Sequence, residues 1–257
     1  MENFYDLSGK NVIITGAAGA IGKNIAVSFA AQGADLILID IAEKKELLAQ
    51  FAEKLSGNYN IKVYDLYADI KNTQDIENIG RFIEEHDLKI DTLINNAGVN
   101  ELVPALEFSE ESWDRIVDTD LKGAFFMSKM AGKNMMINDI KGCIINISSQ
   151  HGVVGNTERA AYCAAKAGLV NLSRALSLEW ANYGIRVNCI SPTFVEHEYN
   201  KDYLSNPVNR RKYLKDIPLG RFAVPQDISN AALFLSCEAS SLITGQNIVI
   251  DGGYTAK

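Results

Sequence analysis

The sequence alternates short, continuous apolar runs with longer segments of helical periodicity. The clearest run is residues 36–39, Leu-Ile-Leu-Ile, which is followed at once by Asp40. A run of this kind suits a strand buried on both faces, as in parallel sheets covered by helices. Similar runs occur at residues 11–15, 61–66, 90–94, 143–147, 185–190 and 247–250. The alternation predicts an α/β fold, a Rossmann-like doubly wound parallel sheet of about seven strands with helices on both faces.

The composition excludes several classes of protein. The chain has 257 residues, of which 47% are hydrophobic and 22% charged, which is typical of globular rather than disordered proteins. Its net charge of −7 argues against nucleic acid or an anionic membrane as a partner. The four cysteines form no CxxC pair, so no metal site or disulfide framework is expected. Because the sequence has no linker, targeting segment or membrane-length apolar run, we expect one domain, residues 1–257, in the cytoplasm.

A glycine-rich turn lies between the first predicted strand and the helix that follows it. The turn contains Gly16, Gly19, Ile21 and Gly22. Glycines let the backbone approach a pyrophosphate, and the helix N-terminus offers free N–H groups to it. The turn therefore predicts a dinucleotide site, although a tight turn without a ligand would have the same pattern.

Asp40 bears on which dinucleotide binds. It ends the second strand about twenty residues past the glycines, where an acid can hold the ribose diol of an adenosine. Its charge would repel a 2′-phosphate, and no Arg or Lys lies in the turn or directly beside Asp40. Lys44 and Lys45 are interpreted as the exposed start of the next helix. NAD(H) is therefore predicted rather than NADP(H), the alternative being that Asp40 only caps that helix.

Ser149, Tyr162 and Lys166 form the candidate catalytic group. Tyr162 and Lys166 are four residues apart in an Ala-rich helical segment, so they share one helix face. A cation beside a phenol favours the phenolate, which makes the phenol a usable acid and base. Ser149 follows the strand predicted at residues 143–147, where its hydroxyl could polarise a substrate oxygen. A Tyr in a core helix with a surface Lys would give the same spacing.

Taken together, these motifs resemble those of the short-chain dehydrogenase/reductase family, in its compact single-domain form, over essentially the whole chain. The resemblance implies that Tyr162 is the general acid and base, that Lys166 also binds the nicotinamide ribose, and that Ser149 holds the substrate oxygen. It also implies a homo-oligomer, a tetramer or dimer, and further cofactor contacts. Those contacts are Asp69, Asn95, Ala97, Gly98, Pro192 and Val195.

The chain departs from the family pattern at four positions. Ala20 replaces the usual middle glycine of the turn, Thr193 follows Pro192 in place of Gly, and His197 replaces a common Thr. Asp120 replaces the helical Asn that is thought to support a water relay to the Lys. An ionised Asp accepts hydrogen bonds but cannot donate them. Asp120 is therefore a catalytic candidate whose carboxylate could hold water near Lys166.

Asn100, His151 and Arg159 are the candidate substrate residues. Residues similar to His151 and Arg159 help bind the substrate carboxylate in the family's 3-hydroxybutyrate dehydrogenases, and Asn100 matches a polar substrate-contacting position there. Arg159 could equally be a solvated residue at a helix start. Residues 194–219 are predicted to form a lid over the substrate. We expect a small polar substrate: a hydroxy acid, a sugar acid or a polyol. A sensor or scaffold with impaired catalysis, and an epimerase or dehydratase that recycles its nicotinamide, remain alternatives.

Overall fold

The computed structural model describes residues 5–256 and contains the predicted parallel sheet. Its seven strands pair in the order β3-β2-β1-β4-β5-β6-β7. The order reverses direction at β1, so the turns after β1 and β4 flank one crevice at the carboxyl edge. The strands are β1 (Asn11–Thr15), β2 (Asp35–Asp40), β3 (Val63–Tyr67), β4 (Ile90–Asn95), β5 (Cys143–Ile147), β6 (Arg186–Pro192) and β7 (Asn247–Ile250).

Helices cover both faces of the sheet. They are α1 (Ala20–Ala30), α2 (Lys45–Tyr59), α3 (Thr73–Glu85), α4 (Glu110–Val117), α5 (Ala124–Ile137), α6 (Ala160–Trp180), α7 (Lys201–Ser205), α8 (Pro207–Leu214) and α9 (Pro225–Ser236). Leu36 and Leu38 pack with α1, α2 and α9, whereas Ile37 and Ile39 pack with α3 and α5. Because successive strand residues point to opposite faces, the continuous apolar runs fill two cores. The doubly wound prediction is therefore confirmed.

The helical region between β4 and β5, residues 110–137, is not one continuous α-helix. Helix α4 begins after Ser109, whose Oγ accepts a hydrogen bond of 3.1 Å from the Ser112 N–H. A π-helical turn, Asp118–Gly123, then separates α4 from α5. In this turn the Thr119 hydroxyl donates to the Arg115 carbonyl at 2.7 Å. Such turns insert an extra residue and redirect a side chain, which sequence periodicity does not reveal.

The predicted lid contains two short helices, α7 and α8. Leu204, Ile217 and Phe222 form a small buried cluster beneath it, packed against Phe194 and Tyr213. The segment is therefore folded on its own apolar contacts and connects β6 to α9. Within residues 5–256, no helix combines the length and apolar character needed to cross a bilayer.

Candidate active site

A cleft lies at the carboxyl edge of the sheet and consists of two adjoining cavities of about 270 Å³ and about 240 Å³. Both cavities are lined by Ile21, Asn96, Gly98 and Val99, so they form one continuous groove. The first extends over the glycine turn and Asp40. The second extends to the candidate catalytic group. The fold therefore brings the two ends of the predicted site together.

The glycine turn is built for close backbone approach. Gly16 has φ of 63°, a left-handed value that favours glycine. A Cβ on Gly22 would lie 2.3 Å from the Gly16 carbonyl oxygen and 2.9 Å from the Ala17 Cα. The Asn96 side-chain amide donates to the Thr15 and Gly16 carbonyls at 3.0 and 3.1 Å. The turn is thus fixed by the Asn96 amide and by its own close backbone packing, and α1 begins within it at Ala20.

Gly22→Ala is expected to lower the free energy of unfolding by about 1–3 kcal/mol, because the added methyl group overpacks the turn. It should also weaken dinucleotide binding. Gly57→Ala is the matched control, since Gly57 also lies in a helix but a Cβ there meets no atom within 4 Å. The control should gain up to about 1 kcal/mol from helix propensity. Urea unfolding measures both, and equal stabilities for the two variants would contradict this account.

Asp40 is buried at the end of β2, at the mouth of the first cavity. Its two carboxylate oxygens accept hydrogen bonds of 2.9 Å from the Ala18 and Ile41 N–H groups. The Lys44 ammonium lies 3.4 Å from Asp40 and lines the same cavity. Lys44 does lie at the partly exposed start of that helix, but it also pairs with Asp40, a contact that was not predicted. A cation stands beside Asp40, although the carboxylate is the more deeply buried of the two charges.

The structure brings most of the other predicted cofactor residues to the cleft. Asp69, Ala97 and Gly98 line the first cavity. The Asn95 side chain does not line either cavity. It is buried and donates to Ser128 Oγ and Asn146 Oδ1 at 2.9 and 2.8 Å. Asn96, which the sequence reasoning passed over, lines both cavities instead.

Ser149, Tyr162 and Lys166 all line the second cavity. The Lys166 ammonium lies 5.7 Å from the centre of the Tyr162 ring, as the four-residue spacing on α6 predicts. It donates to the Ile147 carbonyl at 3.0 Å, which anchors α6 to the end of β5. Ser149 Oγ accepts a hydrogen bond of 3.1 Å from the His151 N–H. A phenol, a hydroxyl and an ammonium therefore converge on one cavity.

Asp120 reaches this cluster from the π-helical turn. Its Oδ1 accepts a hydrogen bond of 2.7 Å from the Val99 N–H, and its Oδ2 lies 3.1 Å from the Lys166 ammonium. Burial raises the pKa of Asp120, while Lys166 and the Val99 N–H oppose that rise. The carboxylate thus meets the lysine directly, where the resemblance implied a contact through water.

Comparisons with known proteins agree with this geometry. A family model described as enoyl-(acyl carrier protein) reductase matches residues 16–255. An NAD-dependent glycerol dehydrogenase from Listeria innocua serovar 6a is 39% identical over 254 residues, covering 98% of this chain and 96% of that protein. The chain belongs to the short-chain dehydrogenase/reductase family. It is an oxidoreductase that interconverts CH–OH groups and ketones.

Other relatives of this dehydrogenase/reductase differ in substrate and cofactor. A D-threitol dehydrogenase from Mycolicibacterium smegmatis is 38% identical over 255 residues, covering 98% of this chain and 95% of that protein. A putative 2-deoxy-D-gluconate 3-dehydrogenase from Agrobacterium tumefaciens, solved with bound NADP, is 30% identical. Its structure matches with a TM-score of 0.88 over 100% of both chains. The relatives therefore support a nicotinamide cofactor without selecting NAD or NADP.

The residues of the cleft fit such a dinucleotide. A Cβ at Gly22 would clash with the backbone of the turn, and Asp40 presents a carboxylate to the first cavity. Within residues 5–256, three buried polar atoms of cleft residues have no hydrogen-bond partner: Asp120 Oδ2, which lies 3.1 Å from Lys166 Nζ, Thr193 Oγ1 and His197 Nδ1. Pro192 and Val195 line the second cavity as predicted positions for the nicotinamide half. His197 lines the first cavity instead, so the lid segment spans both halves of the cleft.

Of this dehydrogenase's three predicted substrate residues, one lines the cleft. Asn100 lines the second cavity, whereas His151 and Arg159 line neither. The His151 ring is buried 6.4 Å from the Tyr162 ring and 6.0 Å from the Phe194 ring. Burial lowers the pKa of His151 to about 4, and the Arg159 charge adds to the effect. His151 is therefore a buried, uncharged imidazole near Tyr162 at neutral pH.

Proposed function

We propose that this enzyme is an NAD(H)-dependent dehydrogenase of small polyhydroxylated substrates, with polyols first among them. The observation that carries the proposal is the convergence of Ser149, Tyr162 and Lys166 on a cavity continuous with the glycine turn and Asp40. A nicotinamide bound in the second cavity would supply the hydride chemistry. The chain's own residues then need to hold the substrate oxygen and move its proton.

Tyr162 moves that proton in the proposed mechanism. In oxidation its phenolate oxygen takes the proton from the substrate hydroxyl as the C–H hydride leaves, and in reduction the phenol returns it. Ser149 donates a hydrogen bond that keeps the substrate oxygen in the second cavity. Lys166, held by the Ile147 carbonyl and by Asp120, places a positive charge beside the phenol and so favours the phenolate.

NAD(H) is the proposed cofactor because Asp40 is buried at the adenosine end of the cleft. Lys44 reduces the local negative charge, but its side chain is 43% exposed and therefore screened by solvent. Asp40→Asn removes the charge that would repel a 2′-phosphate. We expect the ratio of kcat/KM for NAD+ to that for NADP+ to fall about 10- to 100-fold, the value of a charged hydrogen bond. A ratio that stays within twofold would contradict the assignment.

Polyols are favoured as substrates because His151, whose ring lies 6.4 Å from the Tyr162 ring, is uncharged and supplies no cation to pair with a carboxylate. The relatives that act on glycerol and on D-threitol support the same class. Sugar acids or hydroxy acids form the second candidate class, since the Arg159 charge is near enough to His151 and Tyr213 to act on the pKa of both.

Arg159→Ala separates these two classes. We expect KM for polyols to change less than about twofold, because a polyol has no carboxylate that Arg159 could bind. KM for any active sugar acid or hydroxy acid should rise by about 10-fold or more, since a charge-assisted hydrogen bond is removed. Arg211→Ala, in the exposed part of α8, is the matched control. An unchanged KM for every active substrate would remove the carboxylate hypothesis.

The proposed function is tested by a panel of polyols, sugar acids and hydroxy acids, assayed with NAD+ and NADP+ in parallel. We expect reduction of NAD+ by at least one polyol. Binding of dinucleotide without turnover would favour a sensor or scaffold. Product isomerisation or water loss with no net NADH would favour an epimerase or dehydratase. Preference for NADP+ would overturn the argument from Asp40.

A homo-oligomer, a tetramer or dimer, is part of the proposal. Leu178 on the Tyr162-bearing helix α6 is 79% exposed, and Leu242 near β7 is 97% exposed. Large exposed apolar side chains on these two elements support association through them. Light scattering at working concentration measures the mass of the assembly, and a monomer would contradict this part of the proposal.

A further inference from the structure

The Lys166 ammonium is buried in the fold, with 5% of its side chain exposed. A lone buried charge costs several kcal/mol, so a lysine in this position needs a compensating group or loses its proton. The Ile147 carbonyl supplies a dipole at 3.0 Å but no charge. Lys166 therefore needs a nearby anion to stay charged.

Four titratable or charged groups face Lys166 or Asp120. Tyr162 lies on the same helix, Cys189 on β6, Arg115 on α4, and Asp120 in the π-helical turn that meets Lys166. Burial raises the pKa of Cys189 to about 11, so this thiol carries no charge at working pH. Arg115 is a cation and cannot compensate another one. Asp120 is the carboxylate that meets the ammonium within ion-pair distance, at 3.1 Å.

Asp120 is held so that its two oxygens face two different groups. Oδ1 accepts from the Val99 N–H at 2.7 Å, and Oδ2 faces Lys166. The backbone packs tightly over the pair, because a Cβ on Gly98 would lie 3.1 Å from Asp120 Oδ2 and 3.2 Å from Lys166 Nζ. An amide at this position could accept from Val99 with its oxygen, but its NH2 group would then face the ammonium. Asp and Asn are therefore not equivalent here.

We propose that Asp120 is the buried counterion that keeps Lys166 an ammonium ion beside Tyr162. Asp120 is thus a positioning residue, since it acts on the proton step through Lys166. Only the consequence for catalysis rests on the proposed function. The ion pair itself belongs to the protein without substrate or cofactor.

The direction of the pH effect follows from the burial of the pair. Burial on its own lowers the pKa of Lys166, but Asp120 opposes this and the net shift is upward. In Asp120→Asn the opposing charge is gone while the burial remains, so the pKa of Lys166 falls. Lys166 would then lose its proton, and with it the charge beside Tyr162, at a lower pH than in the wild type.

The direct test is a ¹³C NMR titration of the lysine Cε signals in the cofactor-free protein. Lys166→Arg assigns the signal. In the wild type, Lys166 should titrate above the ordinary lysine value of about 10.4. In Asp120→Asn its midpoint should be lower by at least one pH unit, whereas Asp118→Asn, in the exposed pair with Lys122, should leave it unchanged. Lys166 titrating in Asp120→Asn as it does in the wild type would overturn the proposal.

Two further arms keep the proposal testable. If Asp120→Asn does not fold, the wild-type titration decides, because a Lys166 midpoint below the ordinary lysine value contradicts the counterion. The kinetic arm is the pH profile of kcat/KM, whose alkaline limb should move to lower pH in Asp120→Asn but not in Asp118→Asn. The absence of dehydrogenase activity would contradict the proposed function, but the NMR titration would still test whether Asp120 and Lys166 form an ion pair.

Discussion

Tyr162→Phe is expected to lower kcat about 10²- to 10⁴-fold, the usual contribution of a positioned acid or base. The substitution removes only the phenol oxygen, and the ring that lines the second cavity stays in place. Affinity for NAD(H) and the free energy of unfolding should therefore change little. Steady-state kinetics measures the first effect, and fluorescence titration with NADH measures the second.

Tyr199→Phe is the matched control for this variant. Tyr199 is 62% exposed in the lid, and its hydroxyl meets the Lys23 ammonium at 3.3 Å. Loss of this phenol should change kcat by less than about threefold, as expected for a weak exposed contact. If Tyr162→Phe retained kcat within the same range, Tyr162 would not be the group that moves the proton.

Lys166→Met is expected to remove both activity and stability. The methionine fills the space of the lysine stem but leaves Asp120 buried without a counter-charge, since the Asp120 side chain has 0% exposure. Removing one partner of a buried pair costs about 3–5 kcal/mol. With Lys166 absent, burial outweighs the Val99 N–H and the Arg115 charge more strongly and raises the pKa of the carboxyl, so the cost should be largest at neutral and alkaline pH. It should shrink as the pH falls and Asp120 takes up a proton.

Lys122→Met provides the comparison for this prediction. Lys122 pairs with Asp118 at 3.2 Å in the same turn, but its side chain is 45% exposed. Its removal should cost no more than about 0.5 kcal/mol at any pH, as is typical of exposed pairs. Urea unfolding at several pH values measures both variants. A pH-independent loss in Lys166→Met would show that Asp120 is not left as a buried charge.

The fold could be predicted from the sequence because its central strands are buried on both faces. Runs such as residues 36–39 are continuous only when helices cover the sheet on each side, and the two cores take alternate residues of β2. The spacing of Tyr162 and Lys166 was equally informative. Residues four apart on a helix share a face regardless of the surroundings, and the structure places both at the second cavity.

Details that depend on local geometry could not be predicted. Asn95 and Asn96 are adjacent and identical, so only the end of β4 decides which one faces the cleft. The contact of Lys44 with Asp40 could not be predicted, because it depends on the short 3-10 turn before α2. The contact between Asp120 and Lys166 depends on a π-helical turn, which has no pattern in the sequence. In each case, the local backbone geometry decides which side chain makes the contact.

The central claim is that Tyr162 and its neighbours perform net hydride chemistry on a small hydroxylated substrate. The most direct measurement counts the NADH released per active site when the purified enzyme is given excess NAD+ and a polyol. We expect many turnovers per site in the wild type and no more than background in Tyr162→Phe. One equivalent of NADH or less per wild-type site, with every substrate of the panel, would contradict the claim.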